Sequence, residues 1–141
     1  RISQINYSLA HSSVETFGDN TLVCMDTKEF RWYKKHDFPV MAFSPQAKGF
    51  FAKLAKGDAA NNLPEGQYAG PANLARLAKV KQLSEQTGDT PAKITLGYLN
   101  SQPFFVSSVF AVTKLWQLDE DMEAQDLTYD PKTVAFLENM I

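Results

Sequence analysis

The sequence predicts an α/β fold whose parallel strands form an incomplete (β/α)8 barrel. Segments with strand and helix character follow each other in the order strand, helix, strand, loop, two helices, strand, two helices. Such alternation implies parallel pairing with helical crossovers. None of the seven glycines forms the Gly-x-Gly-x-x-Gly pattern of a doubly wound dinucleotide-binding sheet, which favours the barrel over that alternative. Three strands in 141 residues cannot close a barrel, because eight strands need about 250 residues.

Three segments are predicted to be strands. Residues 2–9 alternate apolar and polar side chains, residues 40–44 form an apolar run after Pro39, and residues 104–110 form another after Pro103. Alternation and short apolar runs bounded by proline are typical of strands.

Helices are predicted between and after these strands. The residues Asp19-Asn20-Thr21 are candidate N-caps for a helix over 22–36, with Cys24 packed inside it as a small hydrophobe. The composition of residues 52–70 shifts to Lys, Gly, Asn and Ala, which predicts a long surface loop.

Later helices carry clearer start signals. Pro71, Pro91 and Pro131 suit first helical positions, where the missing N–H of proline does no harm, and Thr90 and Asp130 precede two of them as N-caps. Gly88 is expected to end the helix that begins at residue 71, and a short acidic helix is predicted over 113–124.

Composition excludes several classes of function. The net charge is −2, from 14 basic and 16 acidic residues, so no basic surface for nucleic acid or an anionic membrane is expected. No apolar run approaches the roughly 18 residues of a membrane span, and no signal peptide is seen. The lone Cys24 excludes an internal disulfide or a multi-cysteine zinc site and fits a cytoplasmic location. We find no paired metal ligands and no Ser/His/Asp grouping that would make an independent catalytic centre.

The polar residues of greatest interest lie at predicted strand ends, where α/β proteins bind ligands. Gln4 lies near the end of the first strand and offers a carboxamide, which can both donate and accept hydrogen bonds. Phe43 closes the second strand, and the loop Ser44-Pro45-Gln46-Ala47-Lys48 follows it. The third strand leads into residues 110–121, a loop and an acidic helix.

These three segments, in this order, resemble the sixth, seventh and eighth strand ends of the aldo-keto reductases. The matching sequence motifs are Gln-x-x-Tyr-Ser-Leu, Ser-Pro-Gln-Ala-Lys-Gly-Phe-Phe and Phe-Ala-Val-Thr-Lys-Leu-Trp-Gln-Leu-Asp-Glu-Asp. The second, together with Trp32-Tyr33, is similar to a bacterial branch with a Ser-x-Gln-Ala-x-Gly-Phe-Phe loop. The resemblance implies that residues 1–141 are the C-terminal portion of one incomplete barrel domain: three βα units plus terminal helices.

The resemblance also implies site residues and a cofactor. It assigns Gln4 and Phe43 to the nicotinamide and the loop from Ser44 to Lys48 to the pyrophosphate. Contacts to the adenosine ribose and its phosphate fall to Ala111, Thr113, Gln117, Glu120 and Asp121. The expected cofactor is NADP(H). NAD(H) is the alternative, because Asp121 replaces the usual Asn with a negative charge and Ala111 replaces the usual Gly.

The family reduces aldehydes and ketones by hydride transfer, using a Tyr, Lys, Asp and His tetrad in its N-terminal half. Nothing here matches that tetrad, so no catalytic residue is predicted in this chain. The start at Arg1 suggests a fragment or a cleaved product, and the bare sheet edges predict a missing N-terminal half or self-association. A non-catalytic regulatory or scaffolding module is the alternative function, and an unrelated doubly wound nucleotide-binding domain is the weaker one.

Overall fold

A computed structural model describes residues 1–57 and 68–140. Its three strands, β1 (Ser3–Asn6), β2 (Val40–Phe43) and β3 (Val106–Val109), pair in parallel in the order β1-β2-β3. Successive strands of a (β/α)8 barrel lie side by side in chain order and in parallel, as these three do. The predicted partial (β/α)8 barrel is therefore confirmed.

Helices connect and cover the strands. In the described part of the chain they are α1 (Val14–Phe17), α2 (Thr27–His36), α3 (Phe50–Ala55), α4 (Pro71–Thr87), α5 (Pro91–Asn100), α6 (Leu115–Glu123) and α7 (Pro131–Leu137). None of the helices in these ranges is long and apolar enough to cross a membrane.

The helix starts predicted from proline and its preceding cap are confirmed. The Thr90 hydroxyl accepts a hydrogen bond from the Lys93 N–H at 3.3 Å, and Asp130 Oδ1 accepts one from the Thr133 N–H at 2.7 Å. Each bond satisfies an N–H that has no partner inside the helix. Gly88 ends α4 with a φ of 80°, the left-handed conformation expected of a C-terminal glycine.

The helix predicted from residue 22 is wrong at its start. It begins at Thr27, after the cap Asp26, because the preceding residues pair with the edge of β1 instead. The Asn6 N–H donates to the Val23 carbonyl and the Met25 N–H donates to the Asn6 carbonyl, both at 2.9 Å. Cys24 therefore lies in an extended bridge opposite Asn6 and not in a helix.

The long loop predicted over 52–70 is also wrong where the structure describes it. Helix α3 continues to Ala55, and Tyr68 is fully buried. Residues 58–67 lie outside the described residues. The short helix α1 was not predicted either.

The core lies on one face of the sheet. Ile5, Val40 and Ala42 point to the helices and are at most 4% exposed. In the described structure the opposite face, which carries Gln4 and Phe43 at alternate positions, remains partly open to solvent. This open face would point to the interior of a complete barrel.

Candidate functional site

A cleft of about 570 Å³ opens at the carboxyl ends of β2 and β3. One wall is the loop after β2 together with α3, and the other is residues 109–113 together with α6. The N-terminal half of α5 lies between them and contributes Pro91, Ala92 and Thr95.

The loop after β2 holds an unusual backbone conformation. Ser44, Ala47 and Lys48 have φ angles of 51°, 48° and 54°, and Gly49 follows at 81°. A left-handed conformation costs a non-glycine residue about 1–3 kcal/mol, and such residues cluster at ligand sites. Two hydrogen bonds fix this turn: the Ala47 N–H donates to the Ser44 carbonyl at 3.0 Å and the Gly49 N–H donates to the Gln46 carbonyl at 2.9 Å.

The opposite wall is fixed by Gln117. Its Oε1 accepts hydrogen bonds from the backbone N–H groups of Thr113 and Lys114, both at 3.0 Å, and one from the Thr113 hydroxyl at 3.2 Å. These bonds tie the loop after β3 to the first turn of α6. The carbonyl oxygen of Gln117 therefore caps a helix, while its amide N–H groups remain as donors near the cleft.

One hydrogen bond joins the two walls. Gln46 Nε2 donates to Asp121 Oδ1 at 2.7 Å. Asp121 is only 4% exposed, and its burial raises the pKa of the carboxyl above its ordinary value of 3.8. The bond from Gln46 lowers this pKa, and the nearby charge of Glu120 raises it.

Charge is divided across the cleft. Lysines 48, 53 and 56 line the side formed by the loop and α3, whereas Glu120 and Asp121 line the α6 side. The Lys56 ammonium lies 5.2 Å from the centre of the Trp116 ring and spans the two sides. A ligand with an anionic part and a hydrogen-bond-donating part matches this division.

Most of the residues predicted for the site line this cleft. They are Ser44, Pro45, Gln46, Lys48, Ala111, Thr113, Gln117, Glu120 and Asp121. The two predicted loops therefore do meet, as their positions at adjacent strand ends required.

Three predicted residues do not line the cleft. Gln4 and Phe43 lie on the open face of the sheet, where the pairing of Gln4 with Met41 puts them two positions apart on neighbouring strands. Ala47 is fully buried beneath the loop, so its side chain faces the core and not the cleft.

Sequence reasoning missed the contributions of Lys53, Lys56 and Trp116 to the cleft. The two lysines were assigned to a surface loop. The buried side chains Phe50, Phe51 and Leu54 have helical spacing, and that signal would have revealed α3.

Across residues 1–57 and 68–140 no group of three or more His, Cys, Asp or Glu side chains is arranged to hold a metal ion.

Comparison with solved structures identifies similar folds. A thermostable aldo-keto reductase in complex with the inhibitor epalrestat superposes with a TM-score of 0.62 at 13% identity, covering 99% of this chain and 39% of that protein. An aldo/keto reductase from Klebsiella pneumoniae in complex with NADP and acetate also gives 0.62, at 19% identity over 99% of this chain and 38% of that one. A Klebsiella pneumoniae aldo-keto reductase in complex with NADPH gives 0.60, at 18% identity over 97% and 38%.

The chain thus spans under two-fifths of the length of these structures, and at such identities the likeness establishes the fold alone. The family itself is established by sequence, because the pattern of the Aldo/keto reductase family matches residues 4–141. Together with the barrel strands and their shared cleft, this match shows that the chain belongs to the aldo/keto reductase family.

Proposed function

We propose that this chain is the dinucleotide-binding, C-terminal portion of an NADP(H)-dependent aldo-keto reductase that reduces aldehyde or ketone carbonyls. The observation that carries the proposal is the convergence of the loops after β2 and β3 on one cleft, with basic side chains on one wall. Two of the structurally similar reductases were crystallised with NADP or NADPH.

The strained loop after β2 fits the pyrophosphate. The backbone N–H groups of Gly49 and Phe50 already donate to the carbonyls of Gln46 and Ala47, so the loop would meet the pyrophosphate mainly through its side chains. The Lys48 ammonium, exposed on the cleft wall, adds a positive charge. Ser44 and Gln46 offer further polar contacts from the same loop.

The α6 wall fits the adenosine. The side-chain amide of Gln117 supplies donors, and the Glu120 carboxylate supplies an acceptor on the adjoining turn. The Thr113 hydroxyl, which donates to Gln117, keeps its oxygen as a further acceptor. Gln4 and Phe43 would hold the nicotinamide on the barrel-interior face of the sheet, beside the cleft. When bound, the nicotinamide ring supplies the hydride for carbonyl reduction. The catalytic tetrad and most substrate contacts would come from the rest of the barrel.

A thermal melt of the full-length protein tests the proposal. Because NADP(H) would bind only the folded state, a concentration 100 times the dissociation constant should stabilise it by about 2.7 kcal/mol. Lys48→Met should weaken NADP(H) binding several-fold. Lys34→Met, which removes an exposed lysine from α2, is the matched control. No shift with millimolar NADP(H) or NAD(H) would contradict cofactor binding.

A non-catalytic regulatory or scaffolding module is the second candidate. The bond between Gln46 and Asp121 favours it, because two groups expected to contact the cofactor are bonded to each other. Ala111 and Asp121, which depart from the family pattern, also fit a site that has changed. Turnover of a generic aldehyde with NADPH by the full-length protein distinguishes the two candidates.

A further inference from the structure

A connected group of buried polar side chains lies where β1 ends. Asn6, Ser12 and Asn73 are at most 7% exposed. Burying a polar side chain is unfavourable unless it is hydrogen-bonded, and a fully bonded buried network is rigid. None of the three lines the cleft, so contact with a ligand there does not explain their burial. Their hydrogen bonds run instead to the loop after β1 and to the end of β2.

Asn73, in the first turn of α4, fixes the loop that follows β1. Its Oδ1 accepts a hydrogen bond from the His11 N–H at 2.7 Å, and its Nδ2 donates to the carbonyls of His11 and Tyr68 at 2.9 and 2.8 Å. The carboxamide therefore binds both backbone groups of His11. Arg76, one turn later on α4, donates to the Leu9 carbonyl. The loop after β1 is thus tied to α4 at two points.

Asn6, the last residue of β1, connects this loop to β2. Its Oδ1 accepts a hydrogen bond from the Ser12 hydroxyl at 2.6 Å, and its Nδ2 donates to the Phe43 carbonyl at 3.4 Å. The second bond is long, but the Tyr7 N–H donates to the same carbonyl, also at 3.4 Å. Asn6 and Phe43 are paired in the sheet, so the Asn6 carboxamide holds β1 and β2 together at their carboxyl ends.

The network ends at the two residues that the proposed function assigns to the nicotinamide. Gln4 lies two residues before Asn6 on β1, and Phe43 is the residue whose carbonyl Asn6 contacts. Ser44 follows with a φ of 51°. A left-handed conformation of a non-glycine residue persists only where the surrounding structure holds it. A shift of the Phe43 carbonyl would therefore move both the Phe43 ring and the start of the loop after β2.

We propose that Asn6 and Ser12 are positioning residues for the nicotinamide half of the site. They hold Gln4 and Phe43 in the geometry that hydride transfer requires, and they do not contact the cofactor themselves. Asn73 supports them by fixing the loop that leads to Ser12. This inference rests on the proposed function, since it requires the nicotinamide to lie against Gln4 and Phe43.

Titration of the full-length protein with NADP⁺ and with phospho-ADP-ribose, which lacks only the nicotinamide, tests this role. Ser12→Ala removes the hydroxyl bonded to Asn6 and should raise the dissociation constant of NADP⁺ several-fold, while leaving that of phospho-ADP-ribose unchanged. Asn6→Asp keeps the acceptor for Ser12 but loses the donor to Phe43, so it should act in the same direction. Ser12→Thr retains the hydroxyl and should restore most of the affinity.

Hydride transfer gives a second readout. With a generic aldehyde and saturating NADPH, Ser12→Ala should lower the single-turnover rate about 10-fold or more, because a misplacement of about 1 Å can cost about 100-fold. Asn100→Ala is the matched control. The Asn100 carboxamide also donates to backbone carbonyls, those of Ala124 and Leu127 at 2.9 and 3.1 Å, in a different part of the chain. This control should lower the melting temperature and leave both affinities and the rate unchanged.

The outcomes separate the two proposals. If the wild type binds NADP⁺ and the Ser12→Ala and Asn6→Asp variants either bind it equally well or lose affinity for both ligands to the same extent, the network is only structural. The inference is then wrong, and the proposed function stands. If the wild type binds neither ligand, both are wrong. If Asn6→Asp does not fold, Ser12→Ala, which removes a single oxygen atom, decides the matter alone.

Discussion

Asp121 has a buried carboxylate that accepts a hydrogen bond from Gln46 across the cleft. Since burial raises the pKa of this carboxyl, the folded protein holds its proton to higher pH than the unfolded chain does. Between the ordinary pKa and the raised one, the folded state binds more protons, so ionisation of Asp121 lowers the free energy of unfolding as pH increases.

Asp121→Asn should remove this pH dependence while keeping an oxygen that can accept from Gln46. We expect the stability of the variant relative to the wild type to increase from about pH 3.8 upward and to level off above the raised pKa. Denaturant melts of the full-length protein over this range measure it. Asp119→Asn removes the same charge from an exposed position of α6 as a control. A difference that stays constant with pH would contradict the account.

We also predict that Asp121 affects the choice between NADP(H) and NAD(H). Its charge disfavours a nearby phosphate, so Asp121→Asn should tighten NADP(H) binding more than NAD(H) binding. Isothermal titration with both cofactors measures the ratio of their dissociation constants. An unchanged ratio would show that Asp121 does not contact the region in which the two cofactors differ.

For individual residues, the sequence predicted their locations at strand ends better than their hydrogen-bond partners. The strand-end location of Ser44 and Thr113 followed from local patterns, and both line the cleft. The Gln46–Asp121 bond joins residues 75 positions apart, and no local pattern reports such a pair. The capping role of Gln117 had a local signal, its position three residues after Lys114, but was passed over in favour of ligand contact.

Helix α5 packs closely against the segment that follows α6. A Cβ added to Gly97 would lie 2.8 Å from Tyr129 Cε2 and 2.9 Å from Leu127 Cγ. Alanine is the better helix former by about 1 kcal/mol, so propensity alone would favour the substitution. Overlap at these distances outweighs that gain, because overpacking costs about 1–3 kcal/mol.

We therefore expect Gly97→Ala to lower the free energy of unfolding, by up to about 2 kcal/mol. Leu127→Ala removes side-chain atoms that the new methyl would meet. The same glycine substitution should consequently cost less in a Leu127→Ala background. A double-mutant cycle by chemical denaturation measures the coupling. If the effects of the two substitutions are additive, the methyl group added at Gly97 does not meet the Leu127 side chain, which would contradict the predicted overlap.

Element prediction succeeded where the determinants were local and failed where they were tertiary. Caps and prolines such as Thr90 and Pro91 act within one turn, so the start of α5 was predictable. The start of α2 was not, because pairing of residues 23–25 with Asn6 overrode a helical spacing of apolar residues. At α3 the composition, rich in lysine and alanine, led to the prediction of a surface loop. The helical spacing of the buried Phe50, Phe51 and Leu54 was overlooked.

The whole molecule leaves one sheet face open. Met41, Phe43 and Ser107 are only partly buried and Val109 is 44% exposed, although these strands belong to the centre of a barrel. The structurally similar reductases are more than twice as long as this chain. Further chain or a second copy would have to cover this face for the fold to bury its apolar surface.

Residues 1–141 expressed alone should therefore self-associate, bind an apolar dye and melt without a sharp transition. Light scattering after size exclusion and calorimetry measure these properties. The full-length protein, which would cover the face, should do none of the three. A monodisperse, cooperatively melting monomer of the 141 residues would contradict the incomplete-barrel interpretation.

The bridge at Asn6 restricts how a neighbouring strand can join β1. Backbone groups of alternate residues in a parallel strand point to opposite sides, and those of Asn6 on the outer side are already taken by Val23 and Met25. The backbone N–H and C=O of Gln4, two residues before Asn6, point to the same outer side of β1. An adjoining strand would have to leave the ladder near Gln4, which would open a gap at the rim directly above the carboxamide assigned to the nicotinamide.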